Sequence, residues 1–134
     1  MSTKEKTILI IDDDKDFRAS VGIMLEPQGY KIVEAASAKE GLAKISEQKP
    51  DLVILDIMME HDSAGYEVNQ ALKFRDEFRL ARSVPIIMVS SIPLDPVTRF
   101  DRAAEVGMIT PDYYLTKPLN LDAFVSQVQK LLDT

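Results

Sequence analysis

Two short apolar runs in the chain each lead into aspartate: Ile8-Leu9-Ile10-Ile11 into Asp12-Asp13-Asp14, and Leu52-Val53-Ile54-Leu55 into Asp56. Carboxylates that are gathered together repel one another unless a cation sits among them or one takes a proton. A hard, oxygen-loving divalent cation meets that need, and phosphate chemistry commonly accompanies it. The residue types therefore point to metal-assisted chemistry on phosphate, provided the fold brings the two acidic clusters to one place.

The apolar runs themselves supply the means. A short apolar run bounded by polar residues reads as a strand buried on both faces, as in a parallel sheet. Ligands of open parallel sheets bind at the carboxyl edge of the strands. Acidic clusters placed one residue past two such strands would converge on that edge.

Strand-like and helix-like segments alternate along the whole length. Thr7 to Ile11 reads as the first strand. The helix after it, about Asp16 to Leu25, carries Phe17, Val21, Met24 and Leu25 on one face, and Pro27 and Gly29 stop it. Lys31 to Glu34 is a short second strand. Ser37 and Glu40 form a capping box for a helix reaching Gln48, which Pro50 ends before the third strand, Leu52 to Leu55. A loop from Ile57 to Gly65 leads to a helix over about Tyr66 to Leu80, with Val68, Ala71, Leu72 and Phe78 inward. Pro85 opens a fourth strand, Ile86 to Val89. One short helix is expected over Val97 to Val106, ended by Gly107. Tyr113 to Leu115 is the fifth strand, and Asn120 caps a last helix on which Leu121, Phe124, Val125, Val128, Leu131 and Leu132 keep helical spacing. Five strands alternating with five helices indicate an α/β layer fold with right-handed crossovers.

Composition agrees with one domain. The chain has 134 residues, 46% of them hydrophobic, enough for a buried core. No run of about eighteen apolar residues spans a bilayer, and the first six residues lack an apolar signal core, so a soluble, cytoplasmic domain with no membrane contact is expected. The absence of cysteine excludes a disulfide framework and thiolate metal sites. A net charge of -6 argues against nucleic-acid binding by this chain, which needs a basic footprint.

Four motifs occur in order: Ile-Leu-Ile-Ile-Asp12-Asp13-Asp14, Asp-Leu-Val-Ile-Leu-Asp56, Pro-Ile-Ile-Met-Val-Ser90 and Tyr114-Leu-Thr-Lys117-Pro118. Each lies at the carboxyl end of a successive strand, and together they resemble the receiver domain of bacterial two-component response regulators over nearly the whole chain. The resemblance implies a three-layer, flavodoxin-like sandwich of five βα units with a parallel sheet of order 2-1-3-4-5, spanning residues 1–134 with a core of about 6–132 and no output domain in this chain. It implies that Asp56 is the phosphoacceptor, taking a phosphoryl group from a sensor histidine kinase or a phosphotransfer protein. Asp12, Asp13 and Asp56 would hold Mg2+ together with the backbone carbonyl of Met58, Asp13 more directly and Asp12 more through water. Lys117 would place a cation opposite the metal, and Ser90 would donate its hydroxyl to a phosphoryl oxygen. Ser90 and Tyr114 would act as the switch pair, changing the face formed by the fourth helix, fifth strand and fifth helix, where an unknown output partner or a second copy would bind.

The pattern departs from the family in four places. Glu60 stands where proline is usual, and Ser91 where alanine is. The stretch from Ser90 to Lys117 is longer than is common, so a shifted or shortened fourth helix is expected. Met58 and Ile92 occupy the two positions that flank the hydrolytic water, and neither side chain can orient a water by hydrogen bonding, so autodephosphorylation should be slow. His61 reads as an ordinary surface residue.

Two other functions fit parts of the pattern. Asp12-Asp13-Asp14 after a strand also matches the Asp-x-Asp opening of haloacid-dehalogenase-type phosphatases, with Asp12 as nucleophile and Asp14 as general acid. Lys15 in place of Thr or Val, and the lack of an acidic pair after Lys117, oppose it. A binding-only module of receiver shape is the other; it would have no use for a set of mutually repelling carboxylates.

Overall fold

A computed structural model describes residues 5–56, 68, 70–72, 75, 76, 78, 84–90, 113–116 and 119–132, with the side chains of Ser90, Tyr113, Tyr114 and Thr116 set aside. Five strands, β1 (Thr7–Ile11), β2 (Lys31–Ala35), β3 (Leu52–Asp56), β4 (Ile86–Ser90) and β5 (Tyr113–Thr116), form one parallel sheet in the order β2-β1-β3-β4-β5. This is the flavodoxin-like order, with the chain reversing its direction of travel across the sheet between β1 and β3.

Alternate residues of the strands feed two separate cores. Leu9, Ile11, Val53, Leu55, Ile86 and Met88 pack on one face with Ala38 and Ile45 of helix α2 (Ala38–Gln48) and with Val68, Ala71, Leu72 and Phe78. Ile8, Ile10, Leu52, Ile54, Ile87 and Val89 pack on the other with Val21 and Leu25 of helix α1 (Lys15–Leu25) and with Phe124, Val128 and Leu132 of the last helix, Leu121–Leu132. Strands in the middle of a sheet covered on both faces read as nearly continuous apolar runs, and β3 is buried from end to end, while the edge strand β2 leaves Lys31 and Glu34 exposed.

The element boundaries show what the local chemistry does. The capping box is a little offset: the Ser37 hydroxyl accepts from the Glu40 amide at 3.1 Å, while the Glu40 carboxylate reaches the amide of Ala36 at 3.3 Å, one residue ahead of the cap. Helix α2 ends with Lys49 in a left-handed conformation, φ 47°, before Pro50 resumes an extended path. Helix α1 runs into a 3-10 turn, Glu26–Gln28, closed by Gly29 at φ 93°. In the segment read as a helix over Tyr66 to Leu80, Val68 and residues 70–72 are helical, and the Phe78 amide bonds the Arg75 carbonyl in a tighter 3-10 turn. The Asn120 side chain caps the last helix through the Ala123 amide at 2.9 Å. The expected helix at Val97 to Val106 lies outside the described residues.

Candidate functional site

Strands β1 and β3 are neighbours, with Ile11 opposite Leu55. Asp56 is the final residue of β3 rather than one residue past it, as the sequence suggested. Asp12 follows Ile11 and so leaves the sheet level with Asp56. The Asp12 amide still donates to the Ala35 carbonyl at 3.0 Å, extending the β1–β2 ladder by one residue and fixing this backbone to the sheet edge.

From there the loop is held by short-range hydrogen bonds. The Asp14 amide donates to Asp12 Oδ1 at 2.8 Å. Asp14 in turn is the N-cap of α1: its Oδ1 accepts from the amides of Asp16 at 2.9 Å and Phe17 at 3.3 Å. An N-cap of this kind satisfies amides that the helix cannot. Asp14 is therefore engaged with the helix end, while Asp13 between the two is exposed.

Carboxylate oxygens of Asp12, Asp13 and Asp56 all lie within 4.8 Å of one another. Asp12 is fully buried and Asp56 is 7% exposed. At that separation two carboxylates repel by on the order of 3 kcal/mol even at an effective dielectric constant near 20. Ligand oxygens on one magnesium octahedron stand about 3–4 Å apart, so modest side-chain rotation would close the three onto a single cation. The donor set, all oxygen and all anionic, fits a hard divalent ion. Among the described residues this is the group of acidic side chains with metal-ligand spacing.

Two further residues grip the same loop. Arg18, on the first turns of α1, donates from Nη1 to the Asp12 carbonyl at 2.7 Å and from Nε to Glu34 Oε1 at 2.9 Å. The sequence reading passed over both. An arginine near a helix start looks like ordinary surface, and neither its reach back across the β1–α1 turn to residue 12 nor its pairing with Glu34 is visible in their spacing. Among the other expected site residues, Ser90 ends β4 at the same sheet edge, since Asp56 pairs with Val89, and Tyr114 lies in β5 opposite Met88. The side chains of Ser90 and Tyr114, and the whole of Met58, Glu60, Ile92 and Lys117, lie outside the described residues.

A doubly wound parallel sheet with a cluster of acids at its switch point defines an α/β domain whose strand edge carries carboxylates that could hold a metal ion. Residues 8–129 match the model of the response regulator receiver domain, and the chain belongs to that family. It is 35% identical over 127 residues to the phosphate regulon transcriptional regulatory protein PhoB of Pseudomonas aeruginosa, covering 95% of this chain and 52% of that protein. It is 36% identical to the DNA-binding dual master transcriptional regulator RpaA of Synechocystis, covering 93% of this chain and 48% of that protein. The chain thus spans about half the length of these curated relatives. A receiver domain protein (CheY-like) from Methanospirillum hungatei superposes with a TM-score of 0.78 at 30% identity, over 97% of this chain and 95% of the other. A two-component response regulator from Clostridium difficile gives 0.77 at 31%, over 96% and 97%. Receiver domains are the phosphoacceptors of two-component signal transduction, signalling modules rather than classical enzymes, and this chain is one of them. Among the described residues no helix is long and apolar enough to cross a membrane.

Proposed function

We propose that this receiver accepts a phosphoryl group on Asp56 from the phosphohistidine of a sensor kinase or phosphotransfer protein, with Mg2+ held by Asp12, Asp13, Asp56 and the Met58 carbonyl. The observation that carries the reading is the convergence of three carboxylates at the β1/β3 edge, two of them buried. Burying mutually repelling acids costs stability, and a cation-dependent reaction gives that cost a purpose.

In the transfer, an Asp56 Oδ atom bonds to phosphorus as the P–N bond to the donor histidine breaks, and the imidazole nitrogen keeps the electron pair and takes a proton. Phosphoryl transfer depends on positioning and on neutralising charge at the equatorial oxygens more than on covalent assistance. A bound divalent cation would supply that neutralisation on one side. Asp12 and Asp13 hold and orient it, Lys117 provides the opposing positive charge, and the Ser90 hydroxyl donates to one phosphoryl oxygen. Phosphorylation then biases a two-state domain through Ser90 and Tyr114, altering the face around β5 and the last helix, where an output partner or second copy binds. Met58 and Ile92, two residues beyond Asp56 and Ser90 in the sequence, carry no group that can orient a water by hydrogen bonding, so the phosphorylated state is long-lived.

The test is intact-protein mass spectrometry after incubation with Mg2+ and acetyl phosphate. One phosphoryl adduct is expected, absent in Asp56→Asn. An adduct that survives in Asp56→Asn but disappears in Asp12→Asn would instead favour the phosphatase reading. The engagement of Asp14 as the α1 cap speaks against a general-acid role for it.

A further inference from the structure

Three hydrogen bonds among the described residues hold Asp12: its amide donates to the Ala35 carbonyl, its Oδ1 accepts from the Asp14 amide, and its carbonyl accepts from Arg18 Nη1. The first tie belongs to the β1–β2 ladder and the second to the turn itself. The third crosses from α1, and the arginine that makes it is itself anchored by Glu34 of β2 through Nε. Arg18 is 15% exposed at its side chain and Glu34 49%. A guanidinium held at two of its nitrogens by partners on two different elements has a fixed plane, which an ammonium group could not match. Strand β1, the acidic turn, helix α1 and strand β2 are thereby locked together at the carbonyl between Asp12 and Asp13.

We propose that Arg18 is a positioning residue for the divalent cation, setting the turn that presents the Asp12 and Asp13 carboxylates, with Glu34 as its anchor. The inference rests on the reading of Asp12, Asp13 and Asp56 as cation ligands. The bonds of Arg18 go to a peptide oxygen and to a glutamate that is not one of the three clustered acids, not to a ligand carboxylate. Its action is on geometry, and geometry has a signature that charge lacks. As a mere nearby cation, Arg18 would repel Mg2+, and its removal would tighten binding. As the brace of the turn, its removal lets Asp12 and Asp13 drift from ligating positions, and binding weakens.

Calorimetric titration with Mg2+ alone, on the folded protein, separates the two. Arg18→Ala is expected to weaken Mg2+ binding by about tenfold, the low end of what loss of an outer-shell partner does to metal affinity. Arg18→Lys keeps the charge but not the fork and is expected to weaken binding as well. Glu34→Ala, at an exposed position, should weaken it by a smaller factor, and the Arg18→Ala/Glu34→Ala double variant should bind no worse than Arg18→Ala, because the second residue works through the first. Unchanged or tighter binding in Arg18→Ala overturns the proposal, as do wild-type affinity in Arg18→Lys and additive effects in the double variant. If Arg18→Ala does not fold, Arg18→Lys and Glu34→Ala decide the matter alone. Thermal unfolding without Mg2+, run on each variant, distinguishes a purely structural brace, which would lower the melting temperature and leave the affinity of the folded protein intact. Wild-type protein that binds no Mg2+ would overturn the cation site and this inference with it; wild-type binding with an unaffected Arg18→Ala would overturn this inference only.

Discussion

Gly41 of α2 lies directly over Ile11, the last residue of β1, so closely that a Cβ on Gly41 would come within 2.5 Å of Ile11 Cδ1. Ile11 is completely buried in the same core cluster as Leu55, and its Cγ1 and Cγ2 would also lie within about 3 Å of that Cβ, so rotating the terminal methyl alone would not relieve the contact. The helix therefore sits at its present distance because residue 41 has no side chain, and the edge that carries the acids inherits that spacing.

Gly41→Ala should accordingly destabilise the fold, by about 1–3 kcal/mol, as overpacking in a filled core does. The gain in helix propensity from alanine, up to about 1 kcal/mol, offsets only part of this. Urea unfolding followed by circular dichroism would measure it, and a variant as stable as wild type would show that Ile11 can yield.

At the other end of the same helix the expected sign is reversed. Lys49 adopts a left-handed conformation at the C-cap, where its Cβ is a burden of about 1–2 kcal/mol. Lys49→Gly removes that strain and loses about 0.4–1 kcal/mol to the greater freedom of the unfolded chain. A net stabilisation of about 0.5 kcal/mol is expected in the same unfolding measurement.

Strands β1, β3 and β4 were legible because burial on both faces demands unbroken apolar runs, which Ile8 to Ile11, Leu52 to Leu55 and Ile86 to Val89 supply, whereas β2, with Lys31 and Glu34 exposed, was placed by the turn and cap signals on either side of it. The side-chain caps of α2 and the last helix were legible for a related reason: Ser37 and Asn120 each act within three residues of themselves. What spacing along the chain could not reveal was contact between elements. The bond from Arg18 to the Asp12 carbonyl depends on how α1 leaves the acidic turn, and its anchor on Glu34 on β2 lying beside β1. Nor could it reveal that Asp14, adjacent to two cation-ligand candidates and identical in type, spends its carboxylate on the α1 amides. The left-handed turn at Lys49 was hidden as well, since Pro50 already appeared sufficient to end the helix.

The acidic cluster predicts how stability responds to metal. Without a cation, Asp12, Asp13 and Asp56 repel one another, and Asp13→Asn removes a charge from that set at an exposed position. Asp13→Asn should melt higher than wild type in chelator. Added Mg2+ at ten times its dissociation constant should stabilise wild type by about 1.4 kcal/mol, or roughly 4–6 °C in a domain of this size. The variant should gain much less. Thermal scans in EDTA and in stepwise Mg2+ would read both effects, and a wild-type melting temperature indifferent to Mg2+ would contradict the proposed site.

The lifetime of the phosphorylated form depends on residues flanking the acceptor. Hydrolysis requires a water aligned with the P–O bond to Asp56 and a group that orients it through a hydrogen bond. Met58, two residues beyond Asp56, offers a thioether, which is a poor acceptor and no donor; Ile92, two beyond Ser90, offers neither. Phospho-Asp56 is therefore expected to persist far beyond seconds in the presence of Mg2+ and the absence of a phosphatase. Met58→Asn, which adds an amide able to donate and accept, should shorten that lifetime without preventing phosphorylation. Following the decay of the adduct by intact mass after removal of the phosphodonor gives both rates. A half-life of seconds in the wild-type protein would mean that water is oriented by some other group, and Glu60, in the same loop, would be the first residue to replace.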